Sequence, residues 1–480
     1  MKGQSISVSS FLASILKFSV SSWINFVIGL VSVVITTRIF TPDVYGTLNM
    51  FNTASGFLAS FACLGLNGAF LRFFHEPPPG WSKQQLFAKC LVISVLVLGL
   101  LFLVGLAFFY ADISLRLFNQ VSFMMTALLG INSLSTMVLG SYYSQYYRLD
   151  NDAWHYSIQS VLVQFCSKIL VIGAAFVSPT AEVVLLFNTV GLFLLMIVYF
   201  LIQKRTVWPA RYHWGRQGFG EVLRYGLFSW PLTAAFSASA FLIPFIIQTR
   251  LDSYALGIFA STGFFVAAFN VIQSGFRTYW AAFMYGHYRE EQPKIKAVHT
   301  YILLFVLFLL GGFILCQHPA YLMIGSGFHE SRIFFSLVLL DPLLMLVEQT
   351  TNYGMALAKR NQEMTLIYLL AILLNIGLCY VLLPLYGLPG AAAAAALAAL
   401  FRFILATWRG QRYYRSLEDG WKTAFGIFLL VILGFSNFLF AYQYWLEAGV
   451  VLVVWGLALW LFRGTFKQIW GFVTMIRHKG

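Results

Sequence analysis

The feature that most constrains this chain is the length of its apolar runs. Residues 90–109 and 183–202 each stay almost wholly apolar for about 20 residues, and similar runs recur from end to end. A helix needs about 20 apolar residues to cross the hydrocarbon core of a bilayer. Inside lipid only helices and closed barrels satisfy every backbone polar group, and barrel strands alternate apolar with polar residues. These runs do not alternate. Charged residues make up 10% of the 480 and hydrophobic residues 60%, against roughly a quarter charged in soluble domains. A water-soluble fold of this size leaves too much surface outside to hide such a chain.

The pattern predicts an all-α, polytopic transmembrane bundle of about fourteen helices. The predicted spans of the first half are 16–37, 47–71, 87–109, 123–143, 157–177 and 183–202. Those of the second are 222–248, 258–282, 300–316, 333–354, 364–383 and 390–407, followed by 423–440 and 448–461. This divides the chain into an N-terminal six-helix lobe (1–202), a basic linker (203–220), a second six-helix lobe (221–408) and two additional helices with a tail (409–480). The first apolar run is too long for a cleavable signal and reads as the first span.

The net charge of +14 does not imply nucleic acid, because the basic residues fall in alternate connections. Arg72, Lys83 and Lys89 flank one connection, and Lys204, Arg205, Arg211, Arg216 and Arg224 crowd the central one. Lys359, Arg360, Arg409, Arg412 and Arg415 follow the same alternation, whereas the other set of loops holds Arg38, Arg116, Arg250 and Arg332. By the positive-inside rule both termini are expected in the cytoplasm. The longest outer connection is about 317–331, too short for an extracytoplasmic catalytic domain.

An internal duplication is legible. Thr37-Arg38 closes one helix and a turn leads to Tyr45-Gly46; Thr249-Arg250 closes another and a turn leads to Leu256-Gly257. Paired lobes of six helices follow a common transporter plan.

Polar faces show what such a bundle encloses. Ser22, Asn25, Gly29, Ser32 and Thr36 share one face of the first span, and Asn49, Asn52, Gly56, Ser60 and Asn67 one face of the second. Small residues at this spacing equally serve close helix packing, while the asparagines favour a wet cavity. Charges inside spans are more telling, since one near the midplane costs roughly 2.5–3.5 kcal/mol on insertion scales. Lys168 lies deep in the fifth span, one turn after Gln164. Arg277 continues a stripe through Asn270, Gln273 and Ser274. Asp341 and Glu348 lie two turns apart on the tenth span, and Arg402 sits in the twelfth. Snorkelling to the interface is the alternative for the cations, helix capping near Pro342 for Asp341, and interfacial anchoring for Arg38 and Arg250. Glu348 is a candidate salt-bridge partner of a cavity cation or an ion-coupling site. Pro231 and Pro244 are expected to kink the seventh span.

No catalytic constellation is present. The eight histidines are expected mostly in loops and lack HExxH spacing, and no P-loop motif occurs. The five cysteines lie in or beside apolar runs without metal spacing. Neither cofactor nor metal site is expected.

Two stretches carry a family resemblance. Thr37-Arg38-Ile39-Phe40-Thr41-Pro42-Asp43-Val44-Tyr45-Gly46 resembles the first-loop signature of the polysaccharide-biosynthesis, Wzx-type flippases of the multidrug/oligosaccharidyl-lipid/polysaccharide exporter superfamily. Asn375, followed by Leu383-Pro384-Leu385-Tyr386-Gly387-Leu388-Pro389-Gly390, resembles that family's connection between the eleventh and twelfth helices. The resemblance implies a flippase that moves undecaprenyl-pyrophosphate-linked oligosaccharide across a bacterial inner membrane by alternating access, for O-antigen or exopolysaccharide synthesis. It implies a cation-lined cavity, for which Arg38, Lys168, Arg277 and Arg250 are candidates, with Asn25, Asn52, Gln164 and Asn270 as polar lining. Glu348 and Asp341 are the ion-coupling or salt-bridge candidates. Expected partners are the lipid-linked glycan, membrane lipids, a polysaccharide polymerase and a chain-length regulator. The alternatives are a cation-coupled multidrug exporter of the same superfamily, a polysaccharide polymerase or ligase, and an export scaffold.

Overall fold

A computed structural model describes residues 8–150, 152–209, 218–440 and 442–464, with no strand among them. Arg211, Arg216, His213, Lys467, Arg477, His478 and Lys479 lie outside these residues, as does the Ser22 side chain. The chain forms two compact units, residues 1–260 and 261–480.

The first unit opens with α1 (Val8–Ile39), α2 (Pro42–Ala62), α3 (Leu66–Phe73), α4 (Lys83–Phe108) and α5 (Tyr110–Phe118). It continues through α6 (Phe123–Thr136), a π-helical segment (Met137–Tyr143), α7 (Ser144–Leu149), α8 (Ala153–Val177) and α9 (Ala181–Val207). Then come α10 (Phe219–Arg250) and α11 (Ser253–Ser261). The second unit holds α12 (Gly263–His287), α13 (Gln292–Leu315), α14 (Gln317–Met323), a 3-10 segment (Ser326–Ile333) and α15 (Phe335–Glu348). It ends with α16 (Tyr353–Leu357), α17 (Asn361–Tyr386), α18 (Leu388–Tyr413), α19 (Gly420–Leu439) and α20 (Tyr444–Leu461).

Each of the fourteen predicted stretches falls on helix. Among the described residues 11 helices are long and apolar enough to cross a membrane, or up to 12 when α2 and α3, bent by 59°, count as one span. The shorter apolar stretch Trp23–Ile39 within α1 and the interrupted tenth span account for the other two. The chain is therefore an all-α, multi-pass membrane bundle.

Local chemistry sets the irregular points. Pro42 occupies the first turn of α2 with Asp43 beside it, matching the fixed φ and the positive dipole end of a helix start. The bend between α2 and α3 falls at Leu64 and Gly65, both at positive φ. Gly65 is also where the chain presses on α10: a Cβ there would lie 2.1 Å from the Gly226 carbonyl oxygen. α10 runs as one helix through Pro231 and Pro244.

The two glycine-bearing turns read above as a repeat meet each other. A Cβ on Gly46 would lie 1.9 Å from the Ser253 carbonyl oxygen and 2.8 Å from the Gly257 nitrogen, while one on Gly257 would lie 1.9 Å from the Pro42 oxygen. The starts of α2 and α11 thus cross backbone against backbone, each through its own glycine.

In the fourth span the Leu139 carbonyl of the π segment accepts the backbone N–H of Ser144, the wider bond of a π turn. Gln159 of α8, 1% exposed, donates its amide to the Leu139 oxygen at 2.9 Å. Gln159→Leu is expected to remove the second hydrogen bond to that carbonyl and cost about 0.5–1.5 kcal/mol, read as a lower unfolding temperature of the purified protein. Unchanged unfolding would show that the Ser144 N–H alone suffices for the Leu139 carbonyl.

Two sequence expectations are corrected. The connection 317–331 is folded into α14 and the 3-10 segment, with Gln317, Tyr321 and Phe328 buried, because its aromatic residues have a core to enter. His155, His287, His299 and His318 lie on helices, since helices extend beyond the apolar stretch that marks a span. His299 is buried on α13, its Nδ1 2.7 Å from Thr350 Oγ1 and its Nε2 3.0 Å from Thr423 Oγ1.

Candidate functional site

The polar faces of α1 and α2 converge with α8 and α9 on a cavity of about 120 Å³ in the first unit. Ser32 and Thr36 come from α1, and Tyr45, Asn49 and Asn52 from α2. Ser167 and Lys168 enter from α8 and Asn188 from α9. Helical spacing explains the gathering: Ser32 and Thr36, and Ser167 and Val171, lie one turn apart and share a face.

Lys168 is the sole charged residue on this wall. Among the described residues it has neither an ion-pair partner nor a hydrogen-bond acceptor. The surrounding polar groups are uncharged amides and hydroxyls set among Val33, Leu48, Val171 and Leu185, and they are partly tied to each other. Ser167 donates to Asn188 Oδ1 at 3.2 Å, and the Thr36 hydroxyl donates back to the Ser32 carbonyl at 2.7 Å. Low polarity strengthens any interaction the ammonium makes. An unpartnered cation there is suited to an anion that arrives and leaves.

Other candidates take different places. Asn25 donates to Ser160 Oγ at 2.7 Å across the seam between α1 and α8. Gln164 faces Gly29 on that seam, its Nε2 3.8 Å from where a glycine Cβ would lie. Arg38 and Arg250 are exposed at the ends of α1 and α10, and Arg277 and Asn270 are exposed on α12. None of these six lines the Lys168 cavity. Asn188 was missed in the sequence, although an amide inside the apolar run 183–202 is a legible signal; Tyr45 and Ser167 carried none beyond polarity.

The second unit holds a buried ionic cluster. Arg402 on α18 reaches Glu348 Oε2 through Nε at 3.0 Å and Asp341 Oδ1 through Nη1 at 2.9 Å, both on α15. The Tyr368 hydroxyl donates to Glu348 Oε1 at 2.8 Å, and Asn352 reaches the same oxygen at 3.3 Å. Glu348 is fully buried, whereas the Asp341 side chain is half exposed. Glu348 is thus the ion-pair partner of a cation within its own unit, and Arg402 is paired through Nε and Nη1 without snorkelling.

Glu348 ends α15, and the backbone breaks over residues 349–352. Unpaired backbone at such depth must be met by side chains. Trp280 donates to the Gln349 oxygen at 2.9 Å and Gln411 to the Thr351 oxygen at 3.1 Å. Among the described residues no group of three or more metal-ligating side chains gathers.

A family model described as "Polysaccharide biosynthesis protein" matches residues 11–278. No curated protein matches the sequence. Among solved structures, the lipid II flippase MurJ in an inward closed conformation is similar with a TM-score of 0.70 at 14% identity. The match covers 94% of this chain and 99% of MurJ. An inward-facing multidrug resistance MATE family transporter of the MOP superfamily is similar with a TM-score of 0.55 at 13% identity, over 83% of this chain and 97% of that one. At such identities the likeness is one of fold.

Proposed function

The chain belongs to the polysaccharide biosynthesis protein family, and from that membership we propose that it is a flippase for undecaprenyl-pyrophosphate-linked oligosaccharide units. On this reading it moves units of O-antigen or exopolysaccharide type across a bacterial inner membrane by alternating access, with both termini cytoplasmic. It is a transporter and not an enzyme, and a polymerase and chain-length regulator act beside it.

The observation that carries this reading is the unpartnered Lys168 in a cavity walled by amides and hydroxyls. Keeping a lone ammonium inside a membrane bundle is costly, and a negatively charged cargo offsets that cost each time it binds. The carboxamides and hydroxyls are also the groups that hydrogen-bond sugar hydroxyls. The exposed Arg38, Arg250 and Arg277 serve in this scheme as further contacts for the pyrophosphate, which guanidinium binds bidentately. The crossing of α2 and α11 through matched glycines supports a repeated element of the kind paired-lobe transporters use.

The MATE-like fold makes a cation-coupled drug exporter the second reading. A cationic drug calls for an unpaired acid in its cavity. The wall of the Lys168 cavity bears none, and the acids of α15 are paired with Arg402.

Lys168→Gln is expected to lower export roughly 10- to 100-fold, the loss of one charge-assisted hydrogen bond, with unchanged membrane insertion. The measurement is the amount of undecaprenyl-linked unit stranded on the cytoplasmic face in cells that rely on the variant. Full export by the variant would remove the cavity from the pathway.

A further inference from the structure

A second cavity in the first unit has the opposite chemistry. It measures about 340 Å³ and is walled by Leu91 and Val95 of α4, Leu134 of α6, Val138 of the π segment, and Met196 and Phe200 of α9. Every one of these side chains is apolar. At one end lie Tyr143, buried in the floor, and Trp208, whose indole N–H donates to the Tyr143 hydroxyl at 3.1 Å. Lys204 follows Phe200 by one turn on the same face of α9, is exposed, and precedes Arg205 in sequence. The groove therefore runs from a lipid-facing apolar trough to a basic end marked by an indole, the ordering found at membrane interfaces.

The wall includes an irregularity the chain has secured. Val138 and Tyr143 belong to the π segment, whose Leu139 carbonyl accepts the Ser144 N–H and, from behind, the Gln159 amide. π-Bulges inside α-helices gather at functional positions. Here one shapes the groove's floor while a separate side chain adds a second hydrogen bond to its backbone.

We propose that this groove binds the isoprenoid chain of a phosphate-headed carrier lipid, with the phosphate at the Lys204 end. The proposal rests on the flippase reading. A cargo with a polar head and a hydrocarbon tail cannot draw its tail through a polar interior, because no apolar surface there replaces the lipid it leaves. The tail stays in the bilayer and needs a seam along the protein's outer face. An apolar trough of about 340 Å³ with one basic end fits a stretch of a single chain with one anionic head. A twin-chained phospholipid would leave its second chain outside.

Native mass spectrometry of the full-length protein with added undecaprenyl phosphate tests this, with phosphatidylglycerol as the competing probe. Val95→Trp fills the trough and is expected to weaken undecaprenyl phosphate binding about tenfold, leaving phosphatidylglycerol adducts unchanged. Lys204→Gln is expected to weaken binding several-fold, and more at low salt than at high. Leu452→Trp, which adds the same bulk on α20 where Leu452 is 61% exposed, is expected to change neither. Equal undecaprenyl phosphate binding by Val95→Trp and the unaltered protein overturns the proposal. Equal loss of both lipids also overturns it, by marking an ordinary annular lipid. A parallel flipping assay in vesicles separates the two readings. Binding that Val95→Trp weakens, without flipping by the unaltered protein, leaves the groove standing and removes the function. Flipping with identical binding by both proteins does the reverse.

Discussion

Arg402→Ala is expected to destabilise the protein by about 3–5 kcal/mol, because it leaves the carboxylate of Glu348 charged and uncompensated in the bundle. Glu348 is fully exposed to that loss: its side chain has no solvent access and would retain only the neutral Tyr368 and Asn352 donors. Glu348→Gln is milder, about 1–3 kcal/mol, because Arg402 keeps Asp341. Arg402→Met combined with Glu348→Leu is expected to recover part of the Arg402→Ala loss and lie about 1–3 kcal/mol below the unaltered protein, since the buried charges are gone together while Tyr368 and Asp341 lose their partners. The three variants together separate a pairing cost from mere crowding. Unfolding of purified protein in detergent reads all of them. An Arg402→Ala variant as stable as the parent, or a double variant as unstable as the single one, would show that the pair is not what holds α15 against α18.

That cluster also shows what the sequence could carry. Asp341 and Glu348 are legible as neighbours because seven residues make two helical turns, and Arg402 is legible as a charge inside a span. Which cation meets which acid is not legible, because pairing depends on how α15 and α18 pack. The spans themselves were readable throughout: the price of unsatisfied backbone in lipid forces long apolar runs into helix. Irregular backbone was not. The bend at Leu64–Gly65, the π segment at Met137–Tyr143 and the break at 349–352 all depend on partners distant in sequence, such as Gln159 and Trp280. The Lys168 cavity lies between. The polar stripes of α1 and α2 announced two of its walls, while Asn188 stood as a single amide in an apolar run, with no stripe to show which way it faces.

The crossing of α2 and α11 gives the second large effect. Gly46→Ala is expected to cost about 3 kcal/mol, at the upper end for overpacking, because the new methyl lies 1.9 Å from a backbone oxygen and not from a side chain that can turn away. The helices must separate for it to fit. Gly56→Ala, nearly three turns further along the same helix, meets nothing within 4 Å and should be neutral or slightly stabilising, since alanine is the better helix former. Gly257→Ala should resemble Gly46→Ala, yet the two together should cost less than their sum, because a crossing already forced apart has room for the second methyl. In the proposed topology this crossing lies on the outer side, where a flippase must part its helices to release cargo. Export by Gly46→Ala should therefore fall further than the amount of folded protein does. Equal unfolding temperatures for the Gly46→Ala and Gly56→Ala variants would mean that the backbones do not touch there, and the matched glycines would lose their physical reason.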